Sequence, residues 1–80
     1  MNRPATTPVL ATTLERGMRV LALFAAHHAP LSLTEIAALA GLEKSAAQRL
    51  TYTLLALGYL ERDARTRRYR PGLRMLDLAH

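Results

Sequence analysis

The sequence has no cysteine and no tryptophan, and its 80 residues include only one phenylalanine and three tyrosines. The absence of cysteine excludes disulfide bonds and thiolate metal sites, and with them a small disulfide-rich secreted scaffold. No apolar run approaches the roughly 18 residues that a membrane-spanning helix needs, and Met1–Pro8 contains no apolar signal-peptide core. The composition therefore favours one small cytoplasmic domain, preceded by a flexible polar leader over residues 1–11.

Acidic residues are also scarce: six Asp and Glu stand against eleven Lys and Arg, which gives a net charge of +5. An excess of positive charge favours a polyanionic partner, either nucleic acid or an anionic membrane surface. Six of the arginines fall within residues 62–74. This clustering is more informative than the total count, although an ordinary solvated basic surface is the alternative interpretation.

The first predicted helix covers Leu14–His28, because apolar residues recur there with a helical period. Thr12 and Glu15 predict a capping box at its start, and His27 and His28 lie in its last predicted turn. The apolar stripe consists of Leu14, Met18, Leu21 and Ala25, widened by Val20 and Phe24.

Two further helices follow at short spacing. Ser32 and Glu35 predict a second capping box that opens a helix through Ala40, and Gly41 ends this helix. A third helix is predicted from Glu43 to about residue 57, with Gly58 as its left-handed C-terminal cap. Its predicted inward positions are Ala47, Leu50, Leu54 and Leu57.

A β-hairpin is predicted after the third helix, with strands at residues 59–62 and 68–70 and with Leu60 and Tyr69 turned inward. Residues 73–80 have the apolar content of the beginning of another helix. The predicted fold is therefore mainly α with a small β-hairpin. It is a winged helix-turn-helix over residues 12–72, with a three-helix core and a wing, followed by the start of a linker helix.

The outer face of the third helix carries residue types that suit DNA recognition. In a helix-turn-helix, the N-terminal half of this helix enters the major groove, where Arg can pair with guanine and Gln with adenine. The hairpin loop is basic, and arginines there can follow the backbone or enter a narrow minor groove. Arg62 and Arg70 are further candidates for phosphate contacts. The predicted DNA-binding residues are Lys44, Ser45, Gln48, Arg49, Tyr52, Arg65, Thr66, Arg67 and Arg68.

The sequence gives little support for a metal site, an enzyme active site or a membrane-binding element. His27 and His28 point about 100° apart on a helix and have no carboxylate at helical spacing, so a metal site is not predicted. No phosphate-binding glycine loop or nucleophile elbow occurs, so neither an enzyme nor a cofactor is expected. A membrane-surface element over residues 62–78 is disfavoured by its proline-glycine break. The remaining alternative is a winged-helix module for protein interaction or dimerisation, without specific DNA binding.

Four segments in this order resemble the N-terminal domain of the IclR family of bacterial transcriptional regulators. They are LERGMRVL at 14–21, LSLTEIA at 31–37, GLEKSAAQRL at 41–50 and LGYLERD at 57–63, and the similarity covers about residues 12–79. The resemblance implies a winged helix-turn-helix that dimerises through its first helix and linker helix on a roughly palindromic double-stranded DNA operator. It also implies a small-molecule effector that binds only a C-terminal domain, which these 80 residues do not include.

The chain departs from the family pattern at four positions. Glu43 stands where proline is common, Ala46 where threonine is frequent, and Ala47 where a larger aliphatic residue is usual. Arg67 falls where the wing usually turns on glycine. Either Arg67 has a positive φ angle or the wing turn is of another type.

Overall fold

The computed structural model describes residues 10–78, so most of the predicted leader lies outside the described residues. The helices are α1 Thr12–Ala26, α2 Leu33–Ala40, α3 Lys44–Leu57 and α4 Arg74–Leu78, and the strands are β1 Leu60–Arg62 and β2 Tyr69–Pro71. This order confirms the mainly α fold with a two-stranded antiparallel hairpin. Within residues 10–78, no helix is both long enough and apolar enough to cross a bilayer.

The first helix differs from its prediction at both ends. Ala11, and not Thr12, is the N-cap residue and no side chain caps it, so the predicted capping box is wrong. Glu15 instead forms a 2.7 Å salt bridge with Arg19. Arg19 also donates a 2.8 Å hydrogen bond to the carbonyl of Ala40, which joins α1 to the end of α2.

The predicted last turn of the first helix is not helical. The helix ends at Ala26, and His27 already has an extended backbone. The chain must leave the helix here because Leu31 exchanges two backbone hydrogen bonds with Tyr69, of 2.9 and 2.7 Å. This long-range pairing requires an extended segment before Leu31, and the residue before Pro30 is itself biased away from helix.

The second helix begins and ends as predicted. The hydroxyl of Ser32 accepts a hydrogen bond from the Glu35 amide, and the Glu35 carboxylate accepts one from the Ser32 amide, which completes the capping box. Gly41 has φ 68°, and the Leu42 amide donates to the carbonyl of Ala37 at 2.9 Å. Because a left-handed backbone is inexpensive only for glycine, this position fixes the turn between α2 and α3.

The core lies where α1, α2 and α3 cross and where the hairpin covers them. Small side chains at Ala37, Ala40 and Ala47 are buried and allow α2 and α3 to approach closely. Thr51 is also fully buried, and its hydroxyl donates to the carbonyl of Gln48, a local bond that makes a polar residue acceptable in the core. The buried apolar residues are Val20, Leu21, Phe24, Leu31, Ile36, Ala37, Ala40, Ala47, Leu54, Leu60 and Tyr69.

Parts of the predicted apolar stripes face outward. Leu14 and Met18 are 66% and 53% exposed, and Ala25 is exposed as well. On α1, only Val20, Leu21 and Phe24 are buried in the core. Leu57 is also exposed, because α3 ends there and the chain turns away at Gly58. Leu60 and Tyr69 are buried, as the alternation of the hairpin predicts.

The hairpin and α4 meet at two glycines. The Gly72 amide donates a 2.9 Å hydrogen bond to the carbonyl of Tyr59, and the Arg74 amide donates a 3.1 Å hydrogen bond to the carbonyl of Gly58. A Cβ atom on Gly72 would lie 2.4 Å from the carbonyl oxygen of Gly58. This backbone contact leaves room for glycine alone and sets the direction in which α4 leaves the domain.

Replacing Gly72 with alanine should destabilise the fold by about 1–3 kcal/mol, as expected when an extra carbon is forced into a packed site. Gly17→Ala in α1 is the matched control, because a Cβ there would meet only a methyl group of Leu50 on α3, at 3.9 Å. The free energy of unfolding of the control should rise by up to about 1 kcal/mol, because alanine has a higher helix propensity than glycine. Urea unfolding of both variants measures the two shifts, and a Gly72→Ala variant as stable as the native chain would contradict the steric argument.

Candidate nucleic-acid interface

The outer face of α3 is a continuous polar surface. Burial of Ala47, Thr51 and Leu54 on the opposite side fixes the rotation of the helix about its axis. The five predicted α3 residues therefore all point to solvent, and Tyr52 is 74% exposed. These five exposed side chains are Lys44, Ser45, Gln48, Arg49 and Tyr52.

Two adjoining grooves follow the side of α3 that faces the hairpin. Gln48, Arg62 and Tyr69 line both of them. One groove continues along α3 to Tyr52. The other extends to Lys44 and the tip of the hairpin, and we call it the wing groove. It is lined by Ser32, Leu33, Thr34, Lys44, Gln48, Arg62, Thr66, Arg67 and Tyr69.

Two further grooves lie on the opposite side of α3, against α1. Both are lined by Arg16, Ala46 and Arg49, and Ser45 contributes to one of them. Sequence reasoning did not single out Arg16. Its position beside Arg49 depends on the packing of α1 against α3, and no local pattern in the sequence signals it.

The tip of the wing is organised by one carboxylate. Asp63 Oδ1 accepts hydrogen bonds of 2.8 Å from the amides of both Arg65 and Thr66. The Arg67 amide donates to the Asp63 carbonyl at 2.7 Å, and Arg67 has φ 63°. Of the two alternatives for this turn, the structure therefore has Arg67 in the left-handed region, which is unfavourable for a residue other than glycine.

The wing arginines differ in what they contact. Arg68 donates to the Glu35 carboxylate at 2.8 Å and to the Pro30 carbonyl at 3.3 Å, so its side chain is directed at the start of α2. Arg70 donates to Glu61 at 3.3 Å. The predicted wing residues Arg65, Thr66 and Arg67 are exposed at the tip. Arg68 is thus separated from them, although it is adjacent in sequence.

Hydrogen bonds to backbone amides stabilise two carboxylates of the interface in the charged form. The Ser32 amide, with a further contribution from Arg68, lowers the pKa of Glu35 below its ordinary value. The Thr66 and Arg65 amides lower the pKa of Asp63 in the same way. Both groups are solvent-exposed, so these bonds define local geometry more than global stability.

The IclR helix-turn-helix domain matches residues 13–64. The chain belongs to the IclR family. The helix-turn-helix unit therefore corresponds to the helix-turn-helix domain of a family of DNA-binding transcriptional regulators.

Similar proteins include two curated IclR-type regulators. The chain is 32% identical over 68 residues to the HTH-type transcriptional regulator XynR of Escherichia coli (strain K12), covering 85% of this chain and 27% of that protein. It is 38% identical over 69 residues to the HTH-type transcriptional regulator TsaQ1/TsaQ2 of Comamonas testosteroni, covering 86% and 24%. The chain thus spans about a quarter of the length of these relatives. Because the relatives are transcriptional regulators, the expectation of a non-enzymatic protein is confirmed.

Solved structures give the same assignment. The crystal structure of an IclR family transcriptional regulator from Brucella abortus is 40% identical and superposes with a TM-score of 0.80. The superposition covers 86% of this chain and 26% of that one. The IclR winged helix-turn-helix predicted from the sequence is therefore confirmed as the fold.

Lowering the pH should loosen the wing tip of this IclR domain. The ionised form of Asp63 accepts the turn bonds, so they are fully present above the ordinary carboxyl pKa of 3.8 and are lost as the pH falls through the lower pKa of the folded state. Amide chemical shifts of Arg65 and Thr66 should titrate together with that lowered midpoint. An Asp63→Asn variant, which keeps an acceptor without a titratable proton, should abolish the titration. A midpoint at or above 3.8 would contradict the assigned bonds.

Proposed function

We propose that this chain is a cytoplasmic transcriptional regulator domain that binds double-stranded DNA sequence-specifically, with α3 in the major groove and the wing on the backbone or in the minor groove. The observation that carries the proposal is the juxtaposition of the polar outer face of α3 with a basic wing. Family membership supports the general role, and the exposed residue types support the specific contacts.

In this proposal, α3 reads bases through its N-terminal half. Arg49 pairs bidentately with guanine and Gln48 with adenine, while Ser45 takes a base edge or a phosphate. Lys44 is the first residue of α3, where the positive end of the helix dipole also favours a phosphate. Tyr52 lies one helical turn after Gln48 on the same face of α3, at the edge of the proposed contact with DNA. The Arg16 side chain, beside Arg49, is a further candidate for a contact with the phosphate backbone of the DNA.

The wing supplies contacts that are less dependent on sequence. Arg65 and Arg67 at its tip follow the phosphate backbone or enter a narrow minor groove, where the electrostatic potential is most negative. Thr66 offers a hydroxyl between them. Arg68, which is bonded to Glu35, takes part chiefly by holding the wing against α2.

The chain is further proposed to act as a homodimer on a pseudo-palindromic operator. Leu14 and Met18 on α1 and Leu73, Leu76 and Leu78 at the start of the linker helix are all more than half exposed, which supports an apolar contact between two copies. Two recognition helices related by a twofold axis would then meet half-sites about one helical turn apart, roughly 34–36 Å. In this organisation residues 1–11 form a leader, residues 12–72 bind DNA, and residues 73–80 begin the linker.

Removal of the Arg49 side chain should reduce affinity for a duplex selected from a random pool. The expected loss is about 1–3 kcal/mol, together with relaxed preference at one base position, because a bidentate guanine contact disappears. Fluorescence anisotropy with the selected duplex and with single-base variants of it measures both effects. Arg70→Ala is the matched control, since it removes the same charge from a side chain that is already paired with Glu61.

Two outcomes separate this proposal from its alternative. If Arg49→Ala retains both affinity and base preference, the assignment of α3 as the recognition helix is wrong. If the native chain self-associates in a salt-insensitive manner and binds no duplex, the domain is a protein-interaction module. The exposed apolar residues of α1 and α4 are the feature that favours that alternative.

Charging the exposed apolar surface of α1 should break the proposed dimer. A Leu14→Glu, Met18→Glu variant should weaken self-association more than tenfold, since each apolar side chain buried at a contact contributes about 1.5 kcal/mol or more. Leu39→Glu is the control, because Leu39 is 49% exposed on α2 and lies outside this surface. Sedimentation velocity over a concentration series measures the change, and equal behaviour of the two variants would argue against a dimer contact at α1.

A further inference from the structure

Three wing arginines, Arg62 and Arg70 in the strands and Arg68 just before β2, fall into two classes. Arg68 is neutralised by Glu35 and Arg70 by Glu61, at 2.8 and 3.3 Å. Arg62 has no carboxylate within salt-bridge distance in residues 10–78. The hairpin therefore presents one strand arginine whose charge is not balanced by a direct partner in the described part of the chain.

The register of the hairpin directs Arg62 toward α3. Arg62 pairs with Tyr69 across the two strands, and directly opposed residues project from the same face. Leu60 lies two residues earlier and is buried on this face, whereas Glu61 and Arg70 pair on the other face. Because Arg62 continues the inner face beyond the core, its side chain lines the grooves beside α3.

One contact to a fixed residue limits the freedom of Arg62. Its guanidinium carbon lies 6.0 Å from the centroid of the Tyr69 ring, at the outer limit of a cation–π contact. Tyr69 is itself only 4% exposed and is bonded through its backbone to Leu31 in both directions. The position of Arg62 is thus tied to the core and not to the tip of the wing.

The wing groove gathers three cations from three parts of the fold. Lys44 comes from the start of α3, Arg62 from β1 and Arg67 from the wing tip, and none of the carboxylates within residues 10–78 lines the groove. Like charges in one concave surface repel each other unless an anion lies between them. The side-chain amide of Gln48 and the hydroxyl of Thr66 add hydrogen-bond donors suited to oxygen ligands.

From this arrangement we infer that the wing groove binds one phosphodiester of the DNA backbone, with Arg62 as its principal guanidinium contact. The inference rests on the proposed DNA-binding function and assigns a specific partner to this groove. Arginine suits the role because its planar fork can bond two phosphate oxygens at once. Since Gln48 lines the same groove, a phosphate held there fixes the register of α3 relative to the bases that α3 reads.

The test compares Arg62→Gln with Arg70→Gln, two variants that remove the same charge from the same hairpin. Anisotropy with a labelled duplex of mixed sequence is measured over a salt series. Arg62→Gln should lower affinity roughly tenfold and reduce the slope of log K against log salt by about 1, as expected for one lost phosphate contact. The sequence offered Arg70 as a phosphate contact, but it projects from the hairpin face opposite Arg62 and is paired with Glu61, so Arg70→Gln should leave the slope unchanged.

A second variant and a second duplex distinguish loss of the phosphate contact from a general loss of charge or of folding. Arg62→Lys keeps the charge and should restore most of the salt slope, although lysine cannot form the bidentate hydrogen bonds of arginine. On a selected duplex carrying a methylphosphonate at the contacted position, native chain and Arg62→Gln should bind equally, because the neutral linkage removes the partner of Arg62. Thermal unfolding of both glutamine variants verifies that they are folded.

The possible results are distinguishable. Equal effects of Arg62→Gln and Arg70→Gln would overturn the groove assignment, while a loss in Arg49→Ala would still uphold DNA recognition by α3. Saturable binding of inorganic phosphate that is lost in Arg62→Gln, without any change in DNA affinity, would assign the groove to a free anion and also overturn the inference. Absence of duplex binding by the native chain would overturn both the inference and the proposed function.

Discussion

The close crossing of α2 and α3 is the constraint on which the rest of the structure depends. Gly41 turns the chain in the left-handed region, and alanines at 37, 40 and 47 let the two helix backbones approach. A larger side chain at Ala37 or Ala40 would have to be accommodated between packed helices, because both alanines are buried. Arg19 reinforces the crossing from outside, because it bonds the Ala40 carbonyl at the end of α2. The direction of α3 is therefore set by small buried residues and by one side-chain contact to a backbone carbonyl.

The wing is attached to this unit more firmly than a two-stranded hairpin alone would be. The backbone bonds between Leu31 and Tyr69 extend the sheet to the segment before α2, and the Arg68–Glu35 salt bridge lies beside them. A hairpin in water is only marginally stable, so these attachments give the wing a defined position. The arginines of the wing therefore have two different roles. Arg68 fastens the wing to α2, whereas Arg62 lines the grooves beside α3. A single cluster of basic residues in the sequence thus contains both structural and exposed charges.

Much of the fold could be predicted because the signals are local. The Ser32–Glu35 capping box, the glycines at 41 and 58 and the period of α3 lie within a few residues of the structure they specify. Prediction failed where another partner, nearby or distant in the sequence, competes for a residue. The Thr12–Glu15 capping box has the right residues, but Glu15 bonds Arg19 instead. The outer face of α3 was predictable from its period, whereas the positions of Arg16 and Arg62 beside it depend on packing between elements.

By itself, the sequence determined the helices, the hairpin, the identity of the residues on the outer face of α3 and the membership of the IclR family. These follow from periodicity, caps and ordered motifs, all of which act over short distances along the chain. Only the tertiary structure decided which arginines are neutralised, where α1 ends and which side chains share the wing groove. Arg68 and Glu35 are 33 residues apart in the sequence, yet their charged atoms lie 2.8 Å apart. No local pattern encodes such a pairing, because the energy of a salt bridge depends on the distance between two charges and not on their separation along the chain.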